Sequence, residues 1–191
     1  MRRTKSRSDV NQSNIREVLL ETYAANDRMN QLLLKHMDAR AWRAKAPGMQ
    51  ATEGRTIAAI FAHMHNNRLV WLKGSAPHLK CPAPLDFARC TIKQAASAHR
   101  KSDAGCLKML EEALSESPDR RVTIFSRGSW APHWPAGPTM FVYMFAHDAH
   151  HRGQIIALAH QLGYRLPCEG AYGIWHWDKI WKELGFAQGP R

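Results

Sequence analysis

Long apolar runs are missing from this 191-residue sequence. No stretch of about 18 uninterrupted apolar residues occurs, which excludes a membrane-spanning helix. CxxC pairs are missing as well. Cys81, Cys90, Cys106 and Cys168 sit at wide, irregular spacings, so zinc ribbons and thioredoxin-like redox motifs are excluded and four unrelated reduced thiols are expected. Acidic residues are scarce: 16 Asp and Glu stand against 27 Lys and Arg, for a formal charge of +11. Such a balance is common in nucleic-acid-binding proteins. Here the basic residues are scattered over every segment and cluster only in the first seven, which argues against a nucleic-acid partner. No apolar segment of the kind a secretory signal needs follows Arg2, Arg3, Lys5 and Arg7, so a cytoplasmic location is expected. Internal repeats and low-complexity tracts are also lacking.

What is present is helical periodicity. An apolar share of 45% and this length suit one globular domain. We divide the chain into a basic tail, 1–13, expected to be disordered, and a helical bundle, 14–191. Ile15, Val18, Leu19, Met29, Leu32 and Leu33 recur at three- and four-residue steps and predict a helix from Ser13 to Met37. Pro47-Gly48 breaks it. A second helix starts between Thr52 and Thr56 and ends at Gly74, with Pro77 beyond it. Pro82 to Phe87 is a connection, and a third helix spans Ala88 to Leu114. From Ser117 to Pro138, four prolines and two glycines forbid a long helix, and Val122 to Phe125 suggests a short strand or extended loop. The fourth helix runs from Thr139 to Leu162 with Gly163 as its cap. A short Trp-rich helix, Ile174 to Leu184, closes the chain. The fold class is all-α, a four-helix bundle with a short C-terminal helix.

The fourth helix carries the chemistry. At 100° per residue, Met140, Met144, His147, His151, Leu158 and Leu162 fall on one stripe. Two imidazoles in an apolar seam need partners for their ring nitrogens, and one divalent cation supplies both. Histidines four apart stand one turn above the other, a separation suited to chelation. His150 lies on the shoulder of the stripe and ranks below His151. A third ligand is expected from another helix: His63 or His65 on the second, or His99 on the third. The helical wheel does not choose cleanly, with His65 slightly nearer the apolar centre than His63. His36, His78, His133, His160 and His176 read as surface or loop residues.

The stretch His147-Asp148-Ala149-His150-His151-Arg152-Gly153-Gln154-Ile155 resembles the last-helix signature of the DinB/YfiT-like family of four-helix-bundle metalloproteins. Ala62-His63-Met64-His65-Asn66-Asn67-Arg68-Leu69-Val70-Trp71-Leu72 resembles that family's second-helix motif, in which the histidine about eight residues before a Trp-Leu pair is a ligand. Gln161-Leu162-Gly163 and Tyr172-Gly173-Ile174-Trp175 resemble one branch of it. The resemblance implies His63, His147 and His151 as the ligand set. It also implies one divalent transition metal. Three neutral imidazoles suit zinc, nickel, iron or copper better than magnesium or calcium.

Relatives of this family include thiol-dependent S-transferases and an isomerase. The resemblance therefore favours presentation of a metal-bound thiolate, from a low-molecular-weight thiol cosubstrate, to a small electrophile. A metal-dependent hydrolase is the alternative, and a metal-stabilised bundle without catalysis is a third. Arg68 and Arg152 are candidates for holding a substrate carboxylate, and Asp103 for orienting a ligand ring. Asp148 is expected to point about a quarter-turn away from the ligand stripe. Trp175, Trp177 and Trp181 are expected to cap the bundle, with a homodimer contact as the other reading.

Overall fold

Threonines open two of the long helices. Thr56 Oγ1 accepts from the Ala59 amide, and Thr91 forms a reciprocal capping box with Gln94. In the computed structural model, which describes residues 7–45, 55–128 and 134–186 and of 7–14 only the backbone, four long helices result. They are α1 (Arg7–His36), α2 (Ile57–Ser75), α3 (Ile92–Ala113) and α4 (Pro138–Gln161). The fold is an all-helical bundle. No helix among the described residues is long and apolar enough to cross a membrane.

Several boundaries differ from expectation for local reasons. α1 begins at Arg7, six residues ahead of Ser13, so residues 7–13 of the expected tail are helical. Ile15 and Val18 remain exposed, and α1 buries its apolar side only from Tyr23 onward. α3 begins at Ile92 rather than Ala88 because Asp86 Oδ1 accepts from the Ala88 and Arg89 amides, holding a turn there. α4 starts at Pro138, whose fixed φ and missing N–H suit the first helical position. It ends as expected at Gly163, which takes φ 80°. The Tyr164 amide reaches back to Ala159 O, closing a Schellman turn. Between α3 and α4 lies a two-residue hairpin, β1 (Ile124–Phe125) against β2 (Trp134–Pro135), antiparallel. The expected single C-terminal helix is instead three pieces: α5 (Cys168–Ala171), a 3₁₀ turn (Gly173–Trp175) and α6 (Trp177–Glu183). They pack along α1. Trp177 and Trp181 stack at 4.9 Å against the core while Trp175 stays 71% exposed, so only two of the three tryptophans cover the bundle. Arg2, Arg3, Lys5, Pro47-Gly48, the Thr52 start and His133 lie outside the described residues.

Around the bundle, α1 and α2 each pack on both α3 and α4 and so sit diagonally. The interior has two apolar clusters. One gathers Met29, Leu33, Ile57, Phe61, Ile155 and Ala159. The other gathers Leu72, Met109, Leu110, Phe125, Met140 and Met144. α2 and α3 meet them in one order, α1 and α4 in the other, which gives an up-down-down-up arrangement. Between the clusters each of the four long helices contributes buried polar residues: Asn26 and Asn30, His65 and Arg68, His99, Ser102 and Asp103, Asp148, His151 and Arg152. A polar layer therefore crosses the bundle at mid-height.

Candidate metal centre

The polar layer is built around Asp148. Burial alone would raise its pKa. The Arg68 guanidinium, with His147 and Arg152 adding to it, overrides this and holds the carboxylate far below its usual range. Arg68 Nη2 donates to Asp148 Oδ2 at 2.5 Å, and Asn26 and Asn30 donate to the same oxygen at 2.7 and 3.0 Å. The amide oxygens of both asparagines accept from Arg152 Nη1. Each amide thus bridges a carboxylate and a guanidinium, while Asp148 Oδ1 and Arg68 Nε, both buried, make no hydrogen bond. Asp27 and Asp103 face Arg68 at 3.8 and 3.6 Å. Burial raises the pKa of both, and Asp103 goes well above the carboxylate range, with repulsion from Asp27 adding to its shift.

Three expectations are corrected here. Arg68 and Arg152 are spent inside this network rather than offered to a substrate. Asp103 pairs with Arg68 and orients no ligand ring. Asp148 turns into the bundle interior rather than away from the site, because α4 is covered by α1 and α2 on two sides.

At one edge of the layer His63 from α2 meets His147 and His151 from α4. Their candidate ligand atoms all lie within 4.8 Å of one another, the group of this kind found among the described residues. Ring centroids are 4.5 to 5.4 Å apart. His151 is 6% exposed, whereas His63 and His147 are half-buried, so the group opens to the surface on one side. His151 Nδ1 donates to Gln154 Oε1 at 2.7 Å, which leaves its Nε2 lone pair free of that bond. Asn67 donates to His147 Nε2 at 3.0 Å. His147 Nδ1 then carries the proton and faces Asp148 Oδ1 at 3.7 Å, longer than a formed hydrogen bond but in a carboxylate–histidine arrangement. Burial, then the neighbouring His151, Arg55 and His147, bring the His63 pKa down to about 4. Burial does the same for His151, also to about 4, against the opposing pull of Gln154. Both rings are therefore neutral at pH 7, the form that a cation requires.

The donor set fits a divalent transition metal. Imidazole nitrogens about 2.1 Å from a tetrahedral ion stand roughly 3.4 Å apart, so modest rotation of the rings closes the 4.8 Å spread. Asn67 is the group that must yield, since its amide occupies the Nε2 lone pair of His147. Trp71 packs edge-on against His147 at 5.2 Å and Tyr143 lies parallel at 6.5 Å, limiting the freedom of that ring.

The other histidines have different partners. His65 Nε2 donates to Ala83 O at 2.9 Å, so its Nδ1 accepts from Ser102 Oγ at 3.0 Å. His99 is fully buried, with Nε2 on Phe61 O at 2.9 Å. His150 is exposed beside His151. Asn67 and Gln154 were not picked out in the sequence. Their spacing was the available signal: Asn67 lies four residues after His63, and Gln154 three after His151.

A model described as the DinB family matches residues 9–181. Comparison with curated proteins found no match, and comparison with solved structures found none.

Proposed function

Because the chain belongs to the DinB family, we propose that it holds one divalent transition metal on His63, His147 and His151 and uses it to transfer a small thiol to an electrophile. The observation that carries this reading is the convergence of the three imidazoles from two helices. When bound, the cation acts as a Lewis acid and lowers the pKa of a thiol at its open position, so that the thiolate is available near neutral pH. His151 and His147 present Nε2 with their protons parked on Nδ1, held by Gln154 and facing Asp148. Half-buried His63 lies at the open side, where a thiol and its acceptor would enter.

A hydrolase normally places a carboxylate beside the metal as acid or base. The three-histidine group includes no carboxylate. The nearby Asp148 is held ionised, with Oδ2 taken by Arg68, Asn26 and Asn30. This supports thiol transfer over ester or amide cleavage.

The test is metal analysis of purified protein followed by a panel of low-molecular-weight thiols with halogenated aromatics, epoxides and unsaturated acids. Cobalt-substituted protein should gain a sulfur-to-metal charge-transfer band on adding the thiol, and His63→Ala should lack it. Absence of both the band and thiol-dependent turnover would overturn the transferase. Metal-dependent cleavage of esters in the same preparation would establish the hydrolase instead.

A further inference from the structure

A cavity of about 670 Å³ lies on the α2–α3 side of the bundle, and no α4 residue lines it. One wall is the connection through Leu79, Lys80, Cys81 and Pro82. The other is the α3 face carrying Lys101, Ala104 and Lys108. Lys101 and Lys108 are two turns apart, about 10 Å along the helix, with small Ala104 between them leaving an apolar floor. No acidic residue lines the cavity.

Two features distinguish this groove from an ordinary lysine-bearing surface. Its loop wall is fixed from within. His65 contacts Ala83 O at 2.9 Å, Asn66 bonds Leu85 in both directions at 2.8 and 2.9 Å, and the Leu79 amide donates to Ala76 O. Preformed walls spare a ligand the cost of ordering them. Its cations are also left uncompensated. Glu111 and Glu112, one turn beyond Lys108, are drawn to Arg16 at 3.8 Å and to His78 at 2.8 Å. Among the described residues Lys80, Lys101 and Lys108 make no ion pair. The lining has neither aromatic rings nor arginine on which bases could stack, which disfavours single-stranded nucleic acid.

We propose that this groove binds a small aliphatic carboxylate, its chain on the Ala104–Leu79 floor and its charge among the three lysines. Charge complementarity selects the anion, and the apolar floor between the lysines selects a single chain over an extended polyanion.

Octanoate is the probe, with octanol as its uncharged counterpart. Cys81, half-buried in the groove wall, is the reporter in a Cys168→Ser background. Cys168 is exposed, and the remaining two thiols are buried. Octanoate should slow alkylation of Cys81 by iodoacetamide, and calorimetric titration of the full chain should give the same affinity. Changing Lys101 and Lys108 together to Gln should weaken both at least about tenfold, the loss expected of one charge-assisted contact. Both lysines are exposed, so thermal unfolding should be unchanged. His147→Ala should retain octanoate binding even if it abolishes metal binding, which separates this proposal from the function of the metal centre. Equal protection by octanol, or indifference to the lysine changes, would overturn it. So would lysine-dependent sedimentation with phosphatidylglycerol vesicles in the absence of octanoate binding, which would make the groove a membrane contact.

Discussion

His63 and His65 are two residues apart and both face protein, yet they meet different surroundings. His63→Ala should abolish high-affinity metal binding. His65→Ala should leave it within a few-fold and instead loosen the loop at Ala83, seen as faster amide exchange across residues 79–85. Comparable metal loss in both variants would sink the distinction. A wheel could not separate them because α2 is buried nearly all round: Ile57, Ala58, Phe61, Ala62, Met64, Arg68 and Leu69 point in several directions and are all covered. His147 and His151 were legible as a pair one turn apart in line with Met140 and Met144, although the buried line of α4 continues through Asp148, Ile155 and Ala159 rather than Leu158 and Leu162. Asp148 was misplaced for a related reason. A wheel treats whatever lies off the stripe as solvent, whereas α4 has polar protein there, supplied by Asn26, Asn30 and Arg68 from distant sequence. Asp148→Asn keeps the size of the side chain but removes the charge that faces His147 and balances Arg68. Metal affinity should fall about 10- to 100-fold, as for other partners of ligating histidines, measured by competition with a chromophoric chelator. Unchanged affinity would mean that Asp148 serves Arg68 alone.

At the scale of elements, the helices were readable and their ends only partly so. Periodicity located all four long helices. The start of α3 was missed by four residues because Asp86 competes for the first amides, and the C-terminal piece was read as one helix although its chain turns twice. Gly163 was legible as a cap, since only glycine takes φ 80° without strain. Two glycines of α4 and its cap make opposite predictions. Nothing lies within 4 Å of a Cβ added at Gly153 or Gly163, so packing is not at issue at either. Gly153→Ala, inside the helix, should stabilise the protein by about 0.5–1 kcal/mol. Gly163→Ala should destabilise it by about 1 kcal/mol through backbone strain. Denaturant unfolding of both variants checks the pair, and equal signs would contradict the assigned backbone conformations.

For the whole molecule, the buried ionisable groups set opposing dependences on pH. The His99 pKa is brought down to about 3 by burial and then by Arg68, against 6.5 when unprotected. As pH falls from 6.5 toward 3 the unfolded chain takes a proton at this position that the folded chain refuses, so His99 subtracts stability over that window. Asp27 and Asp103, whose pKa values are raised, act in the opposite sense. Comparing parent with His99→Gln isolates one contribution. In metal-free protein, any advantage of the parent in melting temperature at pH 7 should shrink steadily toward pH 4. A gap independent of pH would show that His99 titrates normally in the folded state. The polar layer that contains these groups also fixes how the helices stand lengthwise. Sliding α4 by one turn along α1, about 5.4 Å, would move Asp148 and Arg152 off Asn26 and Asn30 and into the neighbouring apolar side chains, stranding charge without a partner. The same slip would carry His147 and His151 past His63. Alignment of the helices and assembly of the donor set are therefore a single variable. If the three histidines hold a metal as proposed, the metal stoichiometry of a folded preparation should equal the fraction of molecules whose bundle has closed in its proper register.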